Sequence, residues 1–160
     1  MISRMKNIRG FSLIEIMLVI AIIVILSAIT LPIQSTLLSN NYLSETTSNI
    51  QASLRTASLQ AKLGSLGMPA GVWVGKDGAG KSKVISYRGK SYQDRNTEFD
   101  IVVDVVGGVV VSATPEPDIN FSILNGTITR DTFVTIKSPS GERVLHINLL
   151  GTVIEEKPKK

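Results

Sequence analysis

Glu15 is the ionisable side chain with the most unusual surroundings, because it lies inside an apolar run. It is the only charged residue between Phe11 and Leu31. A carboxylate inside a membrane helix costs about 2.5–3.5 kcal/mol, so such a residue usually has a partner and a function. Cleavage after Gly10 would create an α-amino cation on Phe11, four residues from Glu15 in the same chain or beside it in a neighbour. The alternative is that Glu15 reaches the aqueous interface without a partner.

A second candidate for chemistry is Gly75–Ser82, which matches the glycine-rich pattern of a nucleotide-binding loop. Asp104 ends an apolar run, as the metal-binding aspartate of such sites does. The pattern holds phosphate only where a strand precedes it and a helix follows, since the helix N-terminus supplies free amides. The residues after Ser82 alternate between polar and apolar, which predicts a strand. We therefore predict a glycine-rich hairpin without a nucleotide or other cofactor.

Few other residues could act as catalysts or metal ligands. His146 is the only histidine and the chain has no cysteine, so a metal site or a catalytic triad has few residue types to draw on. Asp100 and Asp104 fall on one face of a predicted strand, without the loop pattern of a calcium site. We expect His146 to be an ordinary strand residue, and we predict that the protein is not an enzyme.

Composition and charge limit the possible classes of protein. The chain has 160 residues, 43% of them hydrophobic, which suggests one domain with additional segments. Arg4, Lys6 and Arg9 supply three of the four net positive charges, so removal of the first ten residues leaves a side-chain charge of +1. Nucleic-acid binding by the remainder is therefore not expected. The absence of cysteine excludes disulfides and leaves the redox compartment open.

The apolar run and its flanks predict a membrane segment. The 21 residues from Phe11 to Leu31 would span about 30 Å as a helix, the thickness of a bilayer core. Basic residues lie only before the run, which places Met1 in the cytoplasm and the rest of the chain outside. A cleaved secretory signal is the competing interpretation, with Ile16–Leu26 as its apolar region and Ser27-Ala28 as its small-residue site. Glu15 and the helical pattern downstream argue against it.

The sequence Arg9-Gly-Phe-Ser-Leu-Ile-Glu15 ahead of an apolar helix resembles the class III leader of type IV pilins and type II secretion pseudopilins. The resemblance implies that a prepilin peptidase cuts after Gly10 and that Phe11 is then methylated. It also implies that Glu15 pairs with the amine of an adjacent subunit during filament assembly. Pro32 is similar to the helix-bending proline of this family.

A second helical pattern follows the apolar run. Its apolar residues recur at steps of three and four, which predicts one buried face formed by Leu43, Ile50, Leu54, Ala57 and Ala61. Three further residues are expected to broaden that face: Leu59, Leu63 and Leu66. Gly64, Gly67 and Pro69 predict the end of the helix.

The remaining sequence indicates strands separated by turns. Gly107-Gly108, Asn125-Gly126 and Pro139-Ser-Gly141 each predict a hairpin between flanking apolar strands. The predicted fold class is α+β, a pilin-like arrangement in which a long N-terminal helix packs by its second half on a mainly antiparallel β-rich head. The predicted segments are a leader at 1–10, a transmembrane and assembly segment at 11–31, an amphipathic continuation of the helix at 32–66 and a periplasmic globular domain at 67–160.

The β-rich part resembles the GspH/FimT-type minor pseudopilin domain through Ile119-Asn-Phe121, Asn125-Gly126 and Arg143–Ile147 followed by Gly151. Three features of related proteins are missing here. Major type IVa pilins close a C-terminal disulfide loop, major pseudopilins carry a calcium-binding Asp-Pro-Trp segment, and DNA-uptake pilins end in a basic Gly-Arg-rich element. The resemblance therefore implies a minor subunit.

The function implied is that of a structural minor pseudopilin of a type II secretion pseudopilus. Such a protein crosses the bacterial inner membrane once and holds its head in the periplasm. The implied partners are other pseudopilins or pilins, the prepilin peptidase and methyltransferase, and the inner-membrane assembly platform. The alternatives are a minor type IV pilin, acting in adhesion, twitching or DNA uptake, and an anchored or exported domain that binds a ligand through Gly75–Ser82.

Overall fold

Helix α1, Leu13–Lys62, is the first element of the protein. The computed structural model describes residues 11–105 and 108–156, and the side chains of residues 28–36 lie outside that description. The chain divides into two units, Met1–Leu37 and Leu38–Lys160, and α1 contributes to both. The second unit is called the head below, and each unit is considered by itself.

The head combines the second part of α1 with two antiparallel sheets of four strands. The order in the first sheet is β3-β2-β1-β5 and in the second β4-β6-β7-β8. A short 3₁₀ helix, Ser65–Gly67, joins α1 to the first strand. The strands are β1 Ala70–Lys76, β2 Ser82–Gly89, β3 Arg95–Asp104, β4 Val110–Thr114, β5 Asp118–Phe121, β6 Thr132–Ser138, β7 Gly141–Ile147 and β8 Val153–Glu156. The predicted α+β class is confirmed.

The core of the head forms on one face of α1. The predicted stripe is buried there, since Ile50, Leu54, Ala57 and Ala61 expose none of their surface and Leu43 exposes only 5%. Apolar residues of both sheets join the same cluster. These residues lie on one side of the helix because their spacing of three and four residues follows the helical repeat of 3.6 residues. The helix therefore carries the two sheets on a single face.

The expected broadening of that face is wrong. Leu59, Leu63 and Leu66 are exposed rather than buried. Leu59 lies about 200° around the helix from Ala57, which turns it away from the core. The other two follow the end of α1, where the amide of Gly64 donates to the carbonyl of Ala61 and the chain leaves the helical path.

Two of the three predicted hairpins are also wrong. The strands on either side of Gly107-Gly108 belong to different sheets, so this connection carries the chain from one sheet to the other. At Asn125-Gly126 a turn is present, but β5 pairs with β1 and no strand follows the turn within the described segment 122–131. The hairpin at Pro139–Gly141 is confirmed, because it joins β6 to β7.

The end of α1 is packed against two glycine turns. The hydroxyl of Ser58 donates to the carbonyl of Gly151 at 3.1 Å. Gly151 has a φ of +70°, and a Cβ added there would lie 1.9 Å from the carbonyl oxygen of Gly126. Only glycine fits this contact without displacement of the backbone.

Substitution Gly151→Ala should lower the free energy of unfolding of the full chain by about 2–4 kcal/mol, because it adds both a clash and left-handed strain. Thermal unfolding in detergent checks this. Gly78→Ala is the matched control, since the space around Gly78 is open, and it should change the stability by less than about 0.5 kcal/mol. Equal stability of the two variants would contradict the packing described.

Candidate functional site

The start of α1 has a defined hydrogen-bond pattern. The carbonyl of Ser12 accepts from the amides of Glu15 at 3.0 Å and Ile16 at 3.2 Å. By its backbone Ser12 therefore occupies the N-cap position, and Glu15 is the third residue of the helix. Ser-x-x-Glu at these positions is the sequence of a capping box, in which both side chains satisfy free amides. This three-residue spacing predicts capping by the two side chains, which the sequence predictions above did not include.

Phe11 and Glu15 border the same surface of the first unit. Together with Ile16, Val19 and Ile20 they line one shallow depression. The Phe11 side chain is 80% exposed, and the Glu15 side chain is exposed as well. An amine on Phe11 and the carboxylate of Glu15 would therefore be open to the same neighbour.

Of the predicted site residues, one is not described by the structure and another is described only in its backbone. Gly10, the predicted cleavage position, lies outside the described residues. The backbone at Pro32 is helical, and its side chain lies outside the description. The roles assigned to Gly10, Phe11, Glu15 and Pro32 stay predictions.

The described side chains at the start of α1 form an almost wholly apolar surface. The large apolar residues from Leu13 to Leu26 are 48–79% exposed. A helix that is apolar on all sides is found buried in protein or lipid, so this surface calls for an apolar neighbour.

Among residues 11–105 and 108–156, no helix is long and apolar enough to cross a membrane.

Gly75–Ser82 is a hairpin tip, as predicted. It joins β1 to β2, so a strand follows it where a phosphate loop requires a helix. The Asp77 carboxylate accepts from the amides two and four residues further along, both at 2.9 Å. Ser82 is buried, and its hydroxyl accepts from the amide of Val111 at 3.0 Å. This arrangement does not support nucleotide binding.

His146 is a half-buried strand residue. Its ring stacks on Phe133 with the centroids 4.6 Å apart. Its two nitrogens lie 3.6 Å from a carboxylate oxygen of Asp131 and 3.7 Å from one of Glu156. In the part of the chain that the structure describes, no group of three or more His, Asp or Glu side chains could hold a metal ion.

An aromatic and polar network covers the outer face of the first sheet. Trp73 and Tyr92 stack at 4.4 Å, and the Arg95 guanidinium lies 3.9 Å from the Tyr92 ring centroid. The Tyr87 hydroxyl donates to the Asp118 carboxylate. Burial first, and the Asp118 carboxylate second, raise the pKa of Tyr87 well above its ordinary value. The network holds the loop after β2 against the sheet, which is a structural role for these aromatic residues.

Comparison with known proteins bears on the N-terminal region. Residues 5–31 match the family model described as the prokaryotic N-terminal methylation motif. The chain carries a type IV pilin-like prepilin signal. This signal supports the pilin or pseudopilin kind of protein, and it implies processing by a prepilin peptidase, export with a membrane anchor and assembly with other pilins. No curated protein and no solved structure matches the chain.

The capping role of Ser12 can be measured by hydrogen exchange. In the full chain in detergent, Ser12→Ala should speed exchange of the first-turn amides about fivefold, since loss of a cap costs about 1 kcal/mol. Ser27→Ala is the control, because the Ser27 hydroxyl bonds to the carbonyl of Ile23 further along the helix, and it should leave the first turn unchanged. Unaltered first-turn exchange in Ser12→Ala would show that this side chain does not cap the helix.

Proposed function

We propose that the chain is a structural minor subunit of a type II secretion pseudopilus, with neither catalytic activity nor a cofactor. The observation that carries the proposal is the prepilin signal at residues 5–31. The head supports it, because the α+β arrangement is that expected of a pilin-like protein. The missing disulfide loop and calcium segment favour a minor over a major subunit.

In the proposed pathway the leader stays in the cytoplasm and the head is exported to the periplasm, with the apolar segment crossing the inner membrane once. The prepilin peptidase cuts after Gly10 and Phe11 is methylated. The new amine then pairs with Glu15 of an adjacent subunit. The common surface bordered by Phe11 and Glu15 supports this pairing, because both residues are exposed at one depression.

Pairing of Glu15 with an amine has two physical advantages. A protonated amine at a helix N-terminus is repelled by the helix dipole, and a carboxylate in the first turn offsets that repulsion. A carboxylate in an apolar setting also needs a cation or hydrogen-bond donors. Assembly satisfies both requirements at once, while the apolar side chains around Glu15 pack against neighbouring helices.

The variant Glu15→Val should insert in the membrane normally and fail to enter filaments. The measurement compares the chain in membrane fractions with the chain in sheared filament fractions. Normal incorporation of the valine variant would refute the pairing role.

The variant Glu15→Gln separates pairing from helix capping. Glutamine suits the third helical position of a capping box but carries no charge. Pairing with an amine therefore predicts that Glu15→Gln also blocks assembly, with first-turn hydrogen exchange close to that of the native chain. If the glutamine variant assembled as well as the native chain, Glu15 would act only as a capping residue.

A minor type IV pilin is the second candidate, because the same prepilin signal serves both kinds of filament. Deletion of the encoding gene distinguishes them. Loss of protein secretion with normal twitching and transformation supports the pseudopilin. Lost twitching or transformation with normal secretion would instead assign the chain to a pilus.

A further inference from the structure

The head has an exposed apolar surface at the end of α1, here called the leucine surface. Its leucines belong to the last turns of the helix, the 3₁₀ helix that follows, the turn after β5 and the turn between β7 and β8. They are 52–71% exposed and comprise Leu59, Leu63, Leu66, Leu124, Leu149 and Leu150. An exposed apolar cluster to which several segments contribute marks an interaction site.

Close backbone contacts bring these segments together. The amide of Leu124 donates to the carbonyl of Ala61 at 2.8 Å, and a Cβ added at Gly64 would lie 3.0 Å from the Leu124 side chain. A Cβ added at Gly151 would lie 1.9 Å from the carbonyl oxygen of Gly126. The two turns therefore lie against each other and against the end of the helix, so their leucines occupy one region of the head.

Backbone strain is concentrated in the same surface. Among the described residues, the non-glycine residues with positive φ are Leu66 at 61° and Leu124 at 68°. A bulky side chain in this conformation is a genuine outlier, and such strain accumulates at functional sites. Glycine would fit either position without strain. The sequence has leucine at both, and both side chains are exposed to solvent.

The charged side chains that accompany the leucines are basic. Arg130 is paired with Glu116. Lys62 and Arg55 take part in none of the ion pairs formed within residues 11–105 and 108–156. Acidic residues are absent from the sequence of the three segments that carry the leucines, which are 59–69, 122–130 and 147–153. Exposed leucines beside unpaired cations favour a partner surface that is both apolar and anionic.

A groove of about 260 Å³ lies beside the leucines. Its lining includes Arg55 and Lys62 from α1 and Thr152 from the start of the last turn segment, and it includes no carboxylate. The two glutamates that end β8 contact Arg143 and His146 instead. Guanidinium, ammonium and hydroxyl groups are common partners of phosphate in proteins. The groove is therefore suited to the phosphate of an anionic headgroup.

Many backbone amides of the leucine surface already have acceptors within the head. A lipid surface offers few hydrogen-bond acceptors, so amides that enter it need acceptors in the protein. Such internal bonds are donated by the amides of Leu63, Gly64, Gly67, Leu124, Gly126, Leu150, Gly151 and Thr152. A partner protein that adds a strand needs free amides instead. The pattern favours lipid over a partner that binds through the backbone.

We propose that the leucine surface binds an anionic phospholipid membrane. The exposed leucines enter the apolar boundary of the leaflet, Arg55 and Lys62 contact lipid phosphates, and the groove beside them holds one headgroup. None of the residues at the start of α1 takes part, so this contact does not depend on the role proposed for Glu15 or on the kind of filament. It gives a chain anchored by its apolar segment a second point of attachment to lipid.

A fluorescent label tests the contact on the cysteine-free chain. The full chain with Leu150→Cys is labelled with the dye NBD, held in nanodiscs of phosphatidylcholine and mixed with protein-free vesicles of phosphatidylglycerol and phosphatidylcholine in equal parts. The emission should rise and shift to shorter wavelength, and nitroxide groups on the acyl chains of the vesicle lipids should quench it. A label on Lys81→Cys, at the β1–β2 hairpin, should respond to neither.

Removal of the two cations tests the anionic component in the same labelled chain. Arg55→Gln with Lys62→Gln should weaken binding to these vesicles about 25-fold, since each basic residue near an anionic surface contributes about fivefold. The loss should vanish with vesicles of phosphatidylcholine alone. Lys76→Gln with Lys81→Gln is the matched control, because it removes the same charge from exposed positions of the β1–β2 hairpin, and it should leave the affinity within about twofold.

Removal of leucines tests the apolar component. Leu124→Ser with Leu149→Ser should weaken binding to both kinds of vesicle at least about tenfold. Val110→Ser with Ile154→Ser is the control, because both residues are 49% exposed on the second sheet, and it should have little effect. Leu124→Gly removes the strain and the exposed side chain together, so it should weaken binding while the head stays at least as resistant to protease as the native head.

The proposal is overturned by any of three results: an unchanged Leu150→Cys label in the presence of anionic vesicles, an equal response from the Lys81→Cys label, or affinities that neither the glutamine pair nor the serine pair lowers. An emission change that follows the concentration of the chain in the absence of vesicles would assign the surface to a protein contact, and it would overturn the proposal as well.

Discussion

The buried face of α1 determines where the other parts of the head can lie. Ile50, Leu54, Ala57 and Ala61 expose no surface, and residues from both sheets pack on them. The last two are alanines, which let the neighbouring backbone approach the helix closely. Gly151 and Gly126 come close to the same part of the helix at Ser58. A side chain at position 151 would push the two glycine turns apart, because its Cβ would lie 1.9 Å from the carbonyl oxygen of Gly126.

Local patterns in the sequence predicted the elements better than their pairing. The buried stripe of α1 followed from helical spacing, and the β6–β7 hairpin followed from Pro139–Gly141, because both are determined by residues close in sequence. The partners of β4 and β5 were missed because they depend on contacts distant in sequence. Val105 and Val109 are both buried on either side of the predicted Gly107-Gly108 turn. Both valines belong to the core cluster of the head, and their packing depends on residues distant in sequence, which a glycine pair does not reveal.

The functional residues also differ in how well the sequence predicted them. Phe11 and Glu15 were found from residue type and spacing, because a lone carboxylate in an apolar run is an unusual local pattern. The exposed leucines at the end of α1 could not be predicted in this way, since the pattern there indicated burial. The pattern even predicted that Leu59 and Leu63 belonged to the core. Their exposure follows from the helix rotation at position 59 and the end of the helix at Lys62.

Ser82 has a structural role, which its position in a segment that resembles a phosphate loop does not suggest. Its buried hydroxyl holds the amide of Val111, so a residue at the start of β2 in one sheet is bonded to β4 in the other. Substitutions at the exposed hairpin tip leave this bond in place, whereas loss of the hydroxyl leaves a buried amide without an acceptor. The lysines of the tip and Gly78 point into open space, whereas Gly75 lies against the Trp73 ring, Gly80 has a φ of +78° and position 82 needs a hydroxyl. The likeness to a phosphate loop thus has structural causes within the hairpin itself, and its serine is the residue that links the two sheets.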